Sequence, residues 1–132
     1  VGGDDKQPMI TITGAKRSGE DGIEVRHSPS SGGTVLQRTD WSEVTGEWLQ
    51  AYCRATFSEG GTLRLIVRRV SDNANVFDID VTDLDLWRGE SREHFVRPKW
   101  GIYRSILLPD ELRPDEEEVR FADFSISKVV VN

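Results

Sequence analysis

The sequence predicts an all-β fold, an antiparallel β-sandwich, on three observations. Short segments rich in β-branched and aromatic residues recur along the chain, each bounded by turn-forming clusters of Gly, Ser, Asn and Asp. Within the clearest of them, side-chain character changes at every second position, which is the period of a strand and not of a helix. Only residues 109–117, punctuated by Pro109 and Pro114, have the makings of a short helical turn. No internal repeat, low-complexity tail or second domain is visible, so residues 1–132 read as one domain.

Taken in order, residues 9–13, 23–27 and 34–38 are the first three strands, separated by Ser18-Gly19 and by the Gly/Ser-rich stretch 28–33. Residues 48–56 and 63–70 form a hairpin, because Ser58-Glu59-Gly60-Gly61 between them supplies the backbone freedom of a tight turn. Residues 76–81, 95–103, 118–126 and 128–131 complete the set. Pro98 cannot donate to a ladder and belongs at a bulge or an edge. Strand 48–56 has two distinct faces. Leu49, Ala51, Cys53 and Ala55 make a small apolar face suited to a core, with Cys53 as a small buried hydrophobe. Trp48, Gln50, Tyr52, Arg54 and Thr56 make a polar-aromatic face, a surface suited to sugar rings and their hydroxyls and equally to ordinary solvated strand pairing.

Composition narrows the function classes. Charged residues are 30% of the chain and apolar residues 36%, the balance of a domain with much exposed surface. No apolar run approaches the roughly 18 residues of a membrane span, and no membrane partner is expected. One cysteine excludes an internal disulfide framework. The net charge of −6 argues against general nucleic-acid binding, yet the charge is uneven. Residues 88–104 hold five basic side chains (Arg88, Arg92, Arg97, Lys99, Arg104) against two acidic ones (Glu90, Glu93). A positive island on an acidic protein focuses an anionic ligand locally.

The densest chemistry lies in Arg97-Pro98-Lys99-Trp100-Gly101-Ile102-Tyr103-Arg104. If this stretch is extended, Arg97, Lys99, Gly101 and Tyr103 share one side, with Gly101 letting a ligand approach the backbone. Two cations, a gap and a phenol are what is needed to hold an anionic sugar and move one of its protons. Arg104 points to the opposite face of a regular strand.

Lys99-x-Gly101-x-Tyr103 resembles the C-terminal motif of the jelly-roll polysaccharide lyases: alginate lyases, glucuronan lyases and the heparin lyase I group. The strings Gly46-Glu47-Trp48-Leu49-Gln50, Asp85-Leu86-Trp87-Arg88 and Val119-Arg120-Phe121-Ala122-Asp123-Phe124-Ser125-Ile126 extend the resemblance over most of the chain. The resemblance implies a jelly-roll, concanavalin A-like sandwich, a secreted location and an acidic polysaccharide or oligosaccharide as ligand. It also implies cleavage by β-elimination, in which the C5 proton leaves, the uronate carboxylate is neutralised and O4 gains a proton. Tyr103 then exchanges the proton, its phenol lowered from a usual pKa near 10 by neighbouring cations, and Lys99 neutralises the uronate with Arg97 assisting. Gln50, Tyr52, Arg54 and His94 are the further substrate-binding candidates.

One departure matters. The family's glutamine–histidine strand precedes a segment like Gly3-Asp4-Asp5-Lys6-Gln7-Pro8-Met9-Ile10, so it would fall before Val1, and the family's arginine-bearing strand is also absent. The expectation is therefore the C-terminal portion of a larger jelly roll, completed by strands from a companion chain, with activity requiring both. A non-catalytic lectin on the same scaffold is the alternative class. His27 reads as a core-edge residue, and neither histidine has a companion at metal-ligand spacing. The series Asp78, Asp80, Asp83, Asp85 prompts a structural calcium ion but lacks the glycine and terminal glutamate of an EF-hand loop, so no cofactor is expected.

Overall fold

The computed structural model describes residues 8–29, 32–91, 94–102 and 118–129. The chain divides into two compact units, Val1–Val96 and Arg97–Asn132. The first is all-β. It contains β1 (Ile10–Arg17), β2 (Glu20–His27), β3 (Thr34–Asp40), β4 (Leu49–Thr56), β5 (Gly61–Arg69) and β6 (Asn75–Leu84), with one 3₁₀ turn, Trp41–Glu43. The strands make two three-stranded antiparallel sheets, ordered β1-β2-β3 (sheet A) and β4-β5-β6 (sheet B). Each sheet is a meander of sequence neighbours. The exchange of strands between sheets that defines a jelly roll does not occur among the described strands.

Local chemistry explains the turns. Ser18 and Gly19 both have positive φ, 52° and 88°, the two-residue geometry that lets β1 fold directly onto β2. Asp40 caps the 3₁₀ turn by accepting from the Ser42 N–H at 2.8 Å, and the chain then passes from sheet A to sheet B. Gly61 opens β5 where a Cβ would lie 2.2 Å from the Thr56 carbonyl oxygen, so no other residue fits there. Between β5 and β6, Asp72 binds both the Ala74 N–H and the Arg69 guanidinium, while Asn73 takes a left-handed φ of 59°.

The two sheets bury their facing sides in one core. Ile23 and Val25 come from β2, Leu63, Leu65 and Val67 from β5, and Phe77 and Ile79 from β6, with Val44 and Leu86 closing the ends. The unit is thus a β-sandwich, as the alternating pattern predicts. His27 ties the layers at one end, its Nε2 lying 2.9 Å from the Asp85 carbonyl oxygen, which is the core-edge place expected for it. Gln37 of β3 accepts from the Asp78 N–H of β6 at 3.2 Å on the facing sheet.

Strand β4 corrects one expectation. Leu49 and Ala55 are half-buried against the core, but Ala51 and Cys53 are exposed. Their partners across the ladder, Val67 and Leu65, are each 2% exposed. Sheet A covers β5 and stops short of β4, an edge strand, so the apolar face read from the sequence is correct in direction and uncovered in fact. The Cys53 thiol nonetheless has its pKa raised by partial desolvation among the neighbouring sheet atoms.

Beyond Val96 the described residues are 97–102 and 118–129, and none lies in a strand. Strands were expected over 95–103, 118–126 and 128–131, of which residues 103, 130 and 131 lie outside the described residues. Pro98 removes a ladder donor, Gly101 takes φ 139° and Asp123 φ 57°, and each breaks an extended run. Aromatic contact organises this unit instead. Trp100 stacks on Phe124 with ring centroids 4.1 Å apart, and Phe121 lies 6.3 Å from the same ring.

Candidate functional site

The outer face of sheet B gathers polar and aromatic side chains in register. Reading across β4, β5 and β6, Tyr52 pairs with Ile66 and then Asp78, and Arg54 pairs with Arg64 and then Asp80. Gln50 stands opposite Arg68, and Thr56 opposite Thr62. Strand alternation puts all of these on the side away from the core, since Leu63, Leu65 and Val67 take the alternate positions inward. A shallow groove of about 350 Å³ lies on this face, lined by Tyr52, Arg54, Thr56, Thr62, Arg64 and Asp80.

Two arginines in this groove differ sharply. Arg64 is held from three sides: its Nη1 donates to Asp78 and to the Ile79 carbonyl oxygen at 3.0 Å, and its Nε lies 3.8 Å from Asp80. That hydrogen bond to Asp78 raises the Arg64 pKa and lowers that of Asp78, so both stay ionised. Arg54 is exposed and forms no ion pair or hydrogen bond among the described residues. Tyr52 is likewise exposed. Thr62 donates to Thr56 at 3.0 Å, aligning two hydroxyls along the groove floor. The arrangement offers one free guanidinium, one aromatic ring, carboxylate acceptors and hydroxyls, which is the equipment for holding a polar ring bearing a negative group.

Three of the residues picked from the sequence, Gln50, Tyr52 and Arg54, are therefore brought together on one face. The others are not gathered there. His94 is engaged locally, its Nδ1 accepting from the Glu90 N–H at 2.8 Å and its own N–H donating to the Ser91 carbonyl, and it does not line the groove. Arg97 and Lys99 are exposed in the second unit, in a segment with no strand ladder to align them. Tyr103 and Arg104 lie outside the described residues. Arg88 is a structural residue, donating to Asp85, to the Trp87 carbonyl and to the Ser28 carbonyl at the end of β2. Of the aspartates once weighed for calcium, Asp78 and Asp80 face Arg64 and Asp85 pairs with Arg88.

Sequence reasoning picked out Asp78 and Asp80 but missed Arg64 as their partner, although the signal was present: basic Arg64 and acidic Asp78 and Asp80 occupy outward positions on adjacent strands. It also missed Glu24. This outward-facing carboxylate of β2 is only 1% exposed, because Arg17, Arg26 and Arg38 fold over it. Arg17 donates at 2.6 Å and Arg26 at 2.8 Å to the same oxygen, and the pKa is lowered to about 2, chiefly by Arg17, against the opposing effect of burial. Gly22 makes room for this cover, since a Cβ there would meet the Arg38 guanidinium at 2.5 Å.

Comparison of the chain with protein-family models, with curated proteins and with solved structures finds no match in any of the three. The class defined by the coordinates is an all-β sandwich with an open, polar-aromatic sheet face.

Proposed function

We propose that the protein binds acidic, uronate-containing glycans across the outer face of sheet B, on a lyase-like scaffold. The observation that carries the reading is the meeting of Tyr52, the unpaired Arg54 and the groove hydroxyls on one sheet surface. An aromatic ring supports a sugar face, a guanidinium takes a carboxylate in bidentate fashion, and carboxylates and hydroxyls accept and donate to sugar hydroxyls. Cleavage by β-elimination is the reaction for which Lys99 and Tyr103 are suited, with Tyr103 moving the proton and Lys99, helped by Arg97, neutralising the uronate. Secretion belongs to the same reading. So does a companion chain supplying further strands and the rest of a jelly roll, supported by the exposure of Ala51 and Cys53 on the inner side of β4.

Incubation with polyglucuronate, alginate and a neutral glucan tests this. The expected outcome is binding to the polyuronates and not to the glucan, with ultraviolet absorbance from unsaturated uronate ends appearing in the complete assembly. Tyr103→Phe should abolish that absorbance and leave binding within about threefold of wild type, since one hydroxyl is lost. Binding without absorbance makes the protein a lectin. Absence of polyuronate binding ends the proposal. Electrophoresis of the protein from its source tests the companion, which a single 14.9 kDa species excludes.

A further inference from the structure

Arg54 and Arg64 face each other directly across the β4–β5 ladder. Directly opposed residues place their Cβ atoms about 5 Å apart, and like charges so placed destabilise a sheet. Among the described residues, the carboxylates on this row lie on the far side of Arg64 and offset its charge, not that of Arg54. Asp78 and Asp80 belong to β6, beyond Arg64, and the row runs Arg54, Arg64, Asp80. Two inter-strand spacings, about 10 Å, separate Arg54 from Asp80. Arg64 is engaged toward β6 through Nη1, on Asp78 and the Ile79 carbonyl, and through Nε near Asp80, which leaves its Nη2 without a partner among the described residues, while Arg54 sits on the edge strand with no compensating partner among them.

We infer that Arg54 and Arg64 form a two-guanidinium clamp for a single oxyanion group, carboxylate or sulfate, of the bound saccharide, with Asp78 and Asp80 holding Arg64 in place. The clamp rests on the reading of this face as the saccharide-binding one and narrows it: Tyr52, two residues along, is placed for the ring that bears the anion. The like charges stand opposite each other on the ladder, with Arg64 offset by Asp78 and Asp80 and Arg54 not offset, so an anion taken up beside Arg54 would couple affinity and ligand-free stability with opposite sign at that residue. A charge kept only for solubility or for structure has no such signature.

The test uses the whole chain with inorganic sulfate, free glucuronate and polyglucuronate as probes, against chloride at matched ionic strength. Arg54→Gln should raise the ligand-free thermal midpoint by about 1–4 °C. The same change should remove the extra stabilisation given by sulfate and glucuronate, and weaken polyglucuronate binding roughly tenfold. Arg64→Gln should weaken binding similarly but lower the midpoint, because it strands Asp78. Arg54→Lys, which keeps the charge and loses the fork, should leave the midpoint unchanged while weakening binding, and it decides the matter if the glutamine variant does not fold. A midpoint that falls in Arg54→Gln, or sulfate stabilisation that survives it, overturns the clamp. If polyglucuronate binds wild type and Arg54→Gln alike, the clamp fails and the glycan reading stands. If sulfate acts through Arg54 but no polyuronate binds, the glycan reading fails and the clamp stands.

Discussion

A carboxylate on the solvent side of a sheet ordinarily adds little to stability, because water screens its partners. Glu24 escapes this because Arg17, Arg26 and Arg38 cover it, leaving 1% of its side chain exposed. Its pKa falls from the usual 4.5 to about 2, so the folded chain holds the ionised form more tightly than the unfolded chain does. The sign follows directly. This contribution is fully present above pH 4.5 and is lost as the pH falls towards 2. Glu24→Gln should therefore cost about 1–3 kcal/mol in urea unfolding at pH 7, leaving three guanidiniums without their common negative charge. The gap to wild type should narrow as the pH is lowered across that window. A gap that stays constant from pH 7 to pH 2.5 contradicts the assignment. Nothing in the alternation of β2 foretold this, since Glu24 occupies an outward position like any solvated residue. Its burial comes from three long side chains on neighbouring strands, and that convergence depends on register.

At the scale of elements, β1 to β6 were legible because their signals are local. Ser18-Gly19 and Ser58-Glu59-Gly60-Gly61 mark the turns of two of the four hairpins, β1–β2 and β4–β5, and the alternation in β4 assigns each side chain to the correct face. The polar-aromatic set Gln50, Tyr52 and Arg54 was readable for the same reason. Coverage was not, because it depends on how far one sheet extends over the other. Cys53 is the clearest instance: it points inward, as expected, and finds no opposing layer. The apolar runs 95–103 and 118–126 also looked like strands, but Pro98, Gly101 and Asp123 interrupt them and their aromatics stack on one another. The Cys53 difference is measurable. The folded chain on its own should react completely with a thiol reagent without denaturant, and Cys53→Ala should cost less than about 1 kcal/mol, because no cavity forms at an uncovered site. Because its thiol pKa is raised, the reaction at pH 7 should be slower than that of an unstructured peptide cysteine. Protection of the isolated chain until global unfolding would show that its own residues cover β4, whereas protection confined to the complete assembly is the outcome expected from the proposed companion strands.

At the scale of the whole molecule, the chain carries −6 while its candidate groove presents an unpaired cation. For a polyanionic glycan these act over different ranges. The overall charge repels at long distance, and Arg54 and Arg64, partners on the β4–β5 ladder, attract only at contact. Ionic strength separates the two. The Debye length shrinks from about 30 Å at 0.01 M to about 8 Å at 0.15 M, so added salt first screens the long-range repulsion. Association of polyglucuronate should therefore accelerate as salt rises through this range, the reverse of ordinary electrostatic steering. Dissociation should accelerate too, since the guanidinium–carboxylate contact is exposed and is itself weakened. The equilibrium affinity then passes through a maximum at intermediate salt. Stopped-flow measurement of both rates reads this directly. An association rate that falls steadily with salt would mean that basic side chains beyond sheet B, those of residues 88–104, dominate the field that the glycan meets on approach.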